Sequence, residues 1–191
     1  MKTLFFDSGP IISLVMSRLG WILPLLKQQF KGTFYITPAV KHELVDRPLT
    51  IRRFEFEALE VMKLIREGVL TVYTNVPQSV VKKLSSLADN SFKVENKAID
   101  VVQEGEMESV VCALKEDASL VIDERTLRMF MEDCSRVEDL LETRFQKKVS
   151  SDKATIQQFN KLVNGVAVIR SAELVGVAYK LGILNSYIPP V

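Results

Sequence analysis

The feature that most constrains this chain is a recurring unit of a short apolar run, a polar or proline-marked break, and a segment of helical period. Residues 3–6, TLFF, run unbroken to Asp7; Ser8, Gly9 and Pro10 follow, and then Ile11, Ile12, Val15 and Leu19 recur at helical spacing. An unbroken run of this length suits a strand buried on both faces, because a strand wetted on one face alternates. Proline just inside a helix start is pre-organised for that place. The unit repeats with TFYI at 33–36, where Thr37 and Pro38 open a short helix through Val45 that Pro48 closes. It repeats again with VLTVY at 69–73 before a helix from Pro77 to about Leu87, with ASLVI at 118–122 before a helix from Glu124, and with VAVI at 166–169 before a last helix ending near Gly182. Further helices are predicted around Leu23, Leu26 and Phe30, over 51–67 with Gly68 as the stop, and over 105–117. Strands alternating with helices predict an α/β fold with a mainly parallel sheet covered on both faces.

Composition bounds the class. At 191 residues, 47% hydrophobic and 26% charged, the chain can bury one sizeable core and is not a disordered or fibrous protein. The 25 basic and 24 acidic residues give a net charge of +1, which excludes a nucleic-acid coater working through bulk positive charge. Cys112 and Cys134 lack metal-ligand spacing, and a single His removes most His-based triads and zinc chemistry. Asp7 interrupts the first apolar run too early for a signal peptide, and no apolar stretch is long enough to span a bilayer. We therefore expect a soluble cytoplasmic protein forming one domain over 1–191, with a mobile polar loop at 88–97 and a helical insertion at about 131–165.

Carboxylates mark the candidate site. Asp7 and Asp123 each directly follow an apolar strand and precede a helix, at the carboxyl ends of strands where α/β sheets gather function. Each also fits a plain helix N-cap. Glu43 lies in PAVKHELV with Val40 and Leu44 as its core-facing neighbours, and it fits a solvated helix acid equally well. Glu106 follows Gly105 in EGEMESVVCAL, where Met107, Val110, Val111 and Leu114 form the buried face and Glu106 and Glu108 flank it. A set of carboxylates without His or Cys suits Mg²⁺ or Mn²⁺ rather than zinc. Such an ion activates water and neutralises charge on a phosphate.

Read together, FFDSGPIISLVMSRLGWILPLL, YITPAVKHELV, REGVLTVY, EGEMESVVCALKEDASLVIDERTLR and VIRSAELVGVAYKLGIL resemble the PIN-domain nucleases, in particular the VapC-like archaeal and bacterial branch with a Gly-Glu helix motif. The resemblance implies a three-layer α/β/α sandwich. It also implies that Asp7, Glu43, Glu106 and Asp123 hold Mg²⁺ or Mn²⁺ for hydrolysis of RNA to a 3′-hydroxyl and a 5′-phosphate. By the same resemblance Ser8 orients Asp7 or a water, and Glu108 and Glu124 are secondary acids whose simplest role is a solvated face. Lys41, Arg125 and Arg128 are candidates for the substrate backbone, with surface ion pairing as the alternative. His42 points away from Glu43. The expected partners are RNA, an antitoxin protein and further copies of the chain in a homodimer or higher homo-oligomer.

The insertion departs from compact family members and could dock a subunit, line an RNA groove or cover the site; Val137, Leu140, Leu141, Phe145, Ile156 and Phe159 suit core packing. A toxin and an RNA-processing enzyme both satisfy the nuclease reading. A catalytically inactive PIN-fold scaffold for RNA or protein is the alternative. Gly9 stands where a haloacid-dehalogenase-like phosphatase needs a second Asp, the acid pair and lysine of a receiver are missing, and no GxGxxG follows the first strand.

Overall fold

The computed structural model describes residues 2–132 and 136–187. Cys134, named from the sequence, lies outside the described residues. The strands are β1 Thr3–Phe6, β2 Thr33–Ile36, β3 Thr71–Val72, β4 Phe92–Val94, β5 Lys97–Ala98, β6 Ser119–Val121, β7 Val149–Ser151 and β8 Val168–Ile169. The helices are α1 Ser8–Met16, α2 Ile22–Phe30, α3 Pro38–Lys41, α4 Glu55–Arg66, α5 Gln78–Ser91, α6 Glu104–Lys115, α7 Arg125–Glu132, α8 Val137–Phe145, α9 Lys153–Val163 and α10 Ser171–Lys180.

A five-stranded parallel sheet runs in the order β3-β2-β1-β6-β8. Its central strand explains the three layers. Leu4 and Phe6 point to one face, where they pack with Ile11, Leu14, Leu23, Val61 and Leu174 from α1, α2, α4 and α10. Phe5 points to the other, among Leu84, Val110, Leu127 and Phe159 of α5, α6, α7 and α9. Both faces are buried, so TLFF reads as a continuous apolar run. Removing each of these rings from water contributes about 1.5–3 kcal/mol. The architecture is the expected three-layer α/β/α sandwich around a mainly parallel sheet.

Three expectations are corrected. The segment 88–97 is not a loop: α5 continues to Ser91, and β4 and β5 follow. Its partner is distant in sequence, because β4 pairs antiparallel with β7, Phe92 opposite Ser151 and Val94 opposite Val149. Pairing energy that arrives from another part of the chain leaves no local period to read. The insertion at 131–165, in turn, is not wholly helical, since β7 separates α8 from α9 and completes the small sheet β5-β4-β7. Within it Val137, Leu141, Ile156 and Phe159 are buried as expected, but Phe145 is 38% exposed. Phe130 binds these parts into the core, stacked on Phe159 at 4.2 Å and edge-on to Phe92 at 5.4 Å. Finally, the strands expected at 69–73 and 166–169 shrink to two residues each; both lie at sheet edges, where pairing comes from one side only.

Candidate functional site

β1 and β6 lie side by side, and the Asp7 N–H donates to the Val121 carbonyl at 2.9 Å. The chain leaves β1 toward β2 and β3 on one flank and returns to β6 and β8 on the other. This is a topological switch point, where the carboxyl ends of the strands open onto a crevice. Asp7 and Asp123 stand there, as the sequence pattern predicts.

Asp7 is 3% exposed and is the N-cap of α1, accepting from the Gly9 N–H at 3.3 Å through Oδ2. Its Oδ1 is buried with no hydrogen-bond partner. Burial raises its pKa to about 6; the Ser8 and Gly9 amides oppose the shift, and the charges of Glu43 and Glu124 add to it. Ser8, half-buried in the first turn of α1, thus acts on Asp7 through its backbone N–H.

Glu106 is buried at the third position of α6, where its Oε2 accepts from the Gln103 N–H at 2.9 Å in a capping box. Burial raises it to about 8 against that amide, with Asp7, Glu124 and Glu43 contributing repulsion. Asp7, Glu43, Glu106 and Glu124 therefore share one electrostatic neighbourhood. Asp123 is held from two helices: Oδ1 accepts from the Ser171 N–H at 2.8 Å and Oδ2 from the Ser13 hydroxyl at 3.0 Å. Gly9 sits between the strand-end acids, where a Cβ would lie 3.6 Å from Asp123 Cβ and 3.6 Å from Asp7 Oδ2.

Glu43 follows α3 on a π-helical turn, His42–Asp46, while Val40 and Leu44 anchor that segment in the core. Such turns interrupt the helical register and re-aim a side chain. The carboxylate lands over the start of α6: a Cβ on Gly105 would meet Glu43 Oε1 at 2.8 Å. This gives the Gly-Glu pair a physical reason. Gly105 clears space for Glu43, and Glu106 supplies its own acid.

The secondary acids depart from the solvated role expected of them. Glu108 is 3% exposed, accepting from the Ala39 N–H at 3.2 Å and the Gln78 side chain at 2.8 Å, and so fastens α3 and α5 to α6. Glu124, half-buried, accepts from the Leu127 N–H in the first turn of α7. Lys41 forms an ion pair with Asp46 at 2.9 Å, and Arg128 stands 4.0 Å from Glu132. Arg125 is exposed. His42 is also exposed, turned toward Asp46 rather than the acids.

As a donor set these acids suit a hard divalent cation: the donors are all oxygen, one buried carboxylate oxygen is unpartnered, and burial, with repulsion from neighbouring acids, makes two of the carboxylates resist ionisation. The side chains as placed are not closed around a common point. Among the described residues, no group of three or more His, Cys, Asp or Glu is gathered so that it could hold an ion. Glu106 and Glu124 border a cavity of about 450 Å³ whose other walls include Asp89, Asp100, Gln103 and Arg144. The sequence reading missed Asp89, Asp100 and Arg144, as well as Ser13 and Ser171. Only the strand-like position of Asp123 hinted at partners from neighbouring helices; nothing in the spacing pointed to Arg144.

The fold and the strand-end acids together define the chain as a three-layer α/β/α protein with an acidic crevice at its switch point. The chain is similar in fold to one in the crystal structure of VapBC2 from Rickettsia felis bound to a DNA fragment from their promoter, with a TM-score of 0.50, 11% identity, and coverage of 88% of this chain and 98% of that one. No family profile matches the chain, and no curated protein does. Among the described residues no helix is long and apolar enough to cross a membrane.

Proposed function

We propose that this chain is a Mg²⁺- or Mn²⁺-dependent endoribonuclease. One observation carries the reading: a buried Asp7 carboxylate at the sheet's switch point has an oxygen without a partner and is crowded by other acids. That is a costly arrangement for a purely structural group, and a cation relieves it. Asp7, Glu43, Glu106 and Asp123 are the residues that would hold the ion. When bound, it would lower the pKa of water and neutralise charge developing on the phosphate.

The rest falls to the chain's own groups. Ser13 and Ser171 fix the Asp123 carboxylate by both oxygens, so it cannot swing toward solvent. Gly105 leaves the space that Glu43 occupies. Arg125 and Arg128, on the helix after Asp123, contribute positive charge for the RNA backbone, which an acidic crevice otherwise repels. The likeness to a VapBC2 chain supports a toxin role with an antitoxin partner, and RNA processing remains compatible with the same site. For that partner, or for a second copy, α1 and α4 offer exposed Ile12, Met16, Phe56 and Leu59.

The test is cleavage of labelled single-stranded RNA by wild type and Asp7→Asn with Mg²⁺, with Mn²⁺ and with chelator. Metal-dependent cleavage lost in Asp7→Asn is the expected result; cleavage that survives the substitution sinks the site. A second reading, a non-catalytic PIN-fold scaffold for RNA or protein, is favoured by one observation, the absence of a closed group of ligands among the described residues. It predicts RNA or protein binding without cleavage under any metal.

A further inference from the structure

The 450 Å³ cavity beside Glu106 and Glu124 has one cationic wall, Arg144, at the end of inserted helix α8. Five carboxylates line the same cavity, yet among the described residues Arg144 forms no ion pair with any of them. Elsewhere on the chain, Lys147 pairs with Glu95 and Arg170 with Glu173. The helix that carries Arg144 is firmly placed. Val137 and Leu141 bury its inner face, Glu142 accepts from the Val149 N–H at 3.0 Å, and β7 is zipped to β4. Phe145, next along the chain, is exposed, and the Arg144 guanidinium stands 5.7 Å from its ring centre.

We propose that Arg144 and Phe145 form a subsite for single-stranded RNA: Arg144 takes a phosphate beside the scissile one, and Phe145 offers its ring to an unpaired base. The subsite rests on the nuclease reading above and adds substrate contacts on the inserted segment to those of Arg125 and Arg128. A crevice lined by acids repels a polyanion, so positive charge on the facing wall is what lets a phosphate enter. Arginine suits the task because its planar fork grips phosphate oxygens in pairs and stays charged at any working pH. The cavity lies within the roughly 300–1,000 Å³ typical of small-ligand sites, room for a nucleotide. An exposed ring beside it serves any base, since every base has a face to stack. The insertion thereby acquires a purpose: it is the wall that brings a cation to an acidic site.

The experiment uses the full chain. Binding of a fluorescent single-stranded RNA is followed by anisotropy against salt, in the Asp7→Asn background so that the RNA stays intact, for the parent and with Arg144→Ala, Arg144→Lys, Arg144→Gln or Phe145→Ala added. Cleavage by the wild type is measured in parallel. Arg144→Ala should raise Kd about 10-fold and reduce the salt slope by about 0.7, the loss of one phosphate contact to a single strand. Arg144→Lys should restore the slope but not all the affinity, and Phe145→Ala should weaken binding about 5-fold or more without changing the slope. Arg144→Gln, polar but uncharged, should weaken binding as Arg144→Ala does, and it decides the matter should Arg144→Ala lower the thermal midpoint. An Arg144→Ala or Arg144→Gln protein with unchanged Kd and slope overturns the subsite, and does so alone if the wild type cleaves RNA. A wild type that cleaves nothing overturns the nuclease reading, and the binding arm still decides Arg144; a parent that binds no RNA overturns the subsite, and the nuclease reading with it where the wild type also cleaves nothing.

Discussion

Replacing Asp7 by Asn should stabilise the metal-free protein. The folded environment raises the Asp7 pKa from 3.8 to about 6, chiefly by burial. A group with a raised acid pKa binds its proton more tightly when folded, so the unfolded chain ionises first as pH rises. The penalty is absent below about pH 4, grows through pH 6 and is complete above it. Two units at ~1.36 kcal/mol each come to about 3 kcal/mol. Asn removes that charge while keeping the N-cap of α1, because Asn and Asp cap equally well. In chelator at pH 8 the variant should therefore melt about 6–12 °C above wild type, taking roughly 2–4 °C per kcal/mol for a chain of this size. At pH 4 the gain should shrink to well under ~1 kcal/mol. Calorimetry at the two pH values checks both figures. Added Mn²⁺ should reverse the order, since an ion that binds only the folded wild type stabilises it by mass action. An Asp7→Asn protein no more stable than wild type at pH 8 without metal would show that Asp7 is not a buried, uncompensated charge, and the main support for an ion site would go with it.

Gly105→Ala should lower RNA cleavage about 10-fold or more while leaving the thermal midpoint equal or higher, because the new Cβ displaces only the flexible end of Glu43 and a helical Ala is ~1 kcal/mol better than Gly; full activity in a kinetic assay would refute the placement of Glu43. Glu108→Ala should cost about 1–3 kcal/mol in urea unfolding, since the Ala39 N–H loses its acceptor; a midpoint equal to wild type would mean this acid fastens nothing. Phe130→Ala should cost about 3–5 kcal/mol, measured the same way, by opening the stack between Phe92 and Phe159.

Much of the large sheet was legible because its strands carry their reasons locally. Leu4, Phe5 and Phe6 are apolar in sequence because both faces of β1 are covered, and Thr37 with Pro38 marks a helix start wherever it occurs: the Thr37 hydroxyl does accept from the Val40 N–H at 3.3 Å. The small sheet was not legible for the complementary reason. Phe92 and Val94 find Ser151 and Val149 more than fifty residues away, and no window of sequence contains both strands. The polar look of 88–97 and the helical look of 131–165 are two halves of one structure. Each half misleads when read alone.

The site divides along the same line. Asp7 and Asp123 can be placed from sequence because a strand end fixes where a residue sits in the sheet. Glu43 and Glu106 need the resemblance as well, since a helix position leaves several directions open and a π-helical turn adds another. Glu108 shows how spacing alone fails: two residues from Glu106 on the same helix, it turns to the Ala39 amide and the Gln78 side chain and becomes a fastening rather than a ligand. Arg144 shows the opposite failure, because its place beside Glu124 depends on how α8 packs and on nothing near it in sequence. The nearly neutral total of 25 basic and 24 acidic residues conceals this uneven placement. Acids are concentrated at the switch point, where an ion and a phosphate would meet, and the arginine that would offset them arrives on a segment inserted between the last two strands of the sheet. A chain of this kind can act on a polyanion without being basic, provided that its few cations stand where the phosphates pass.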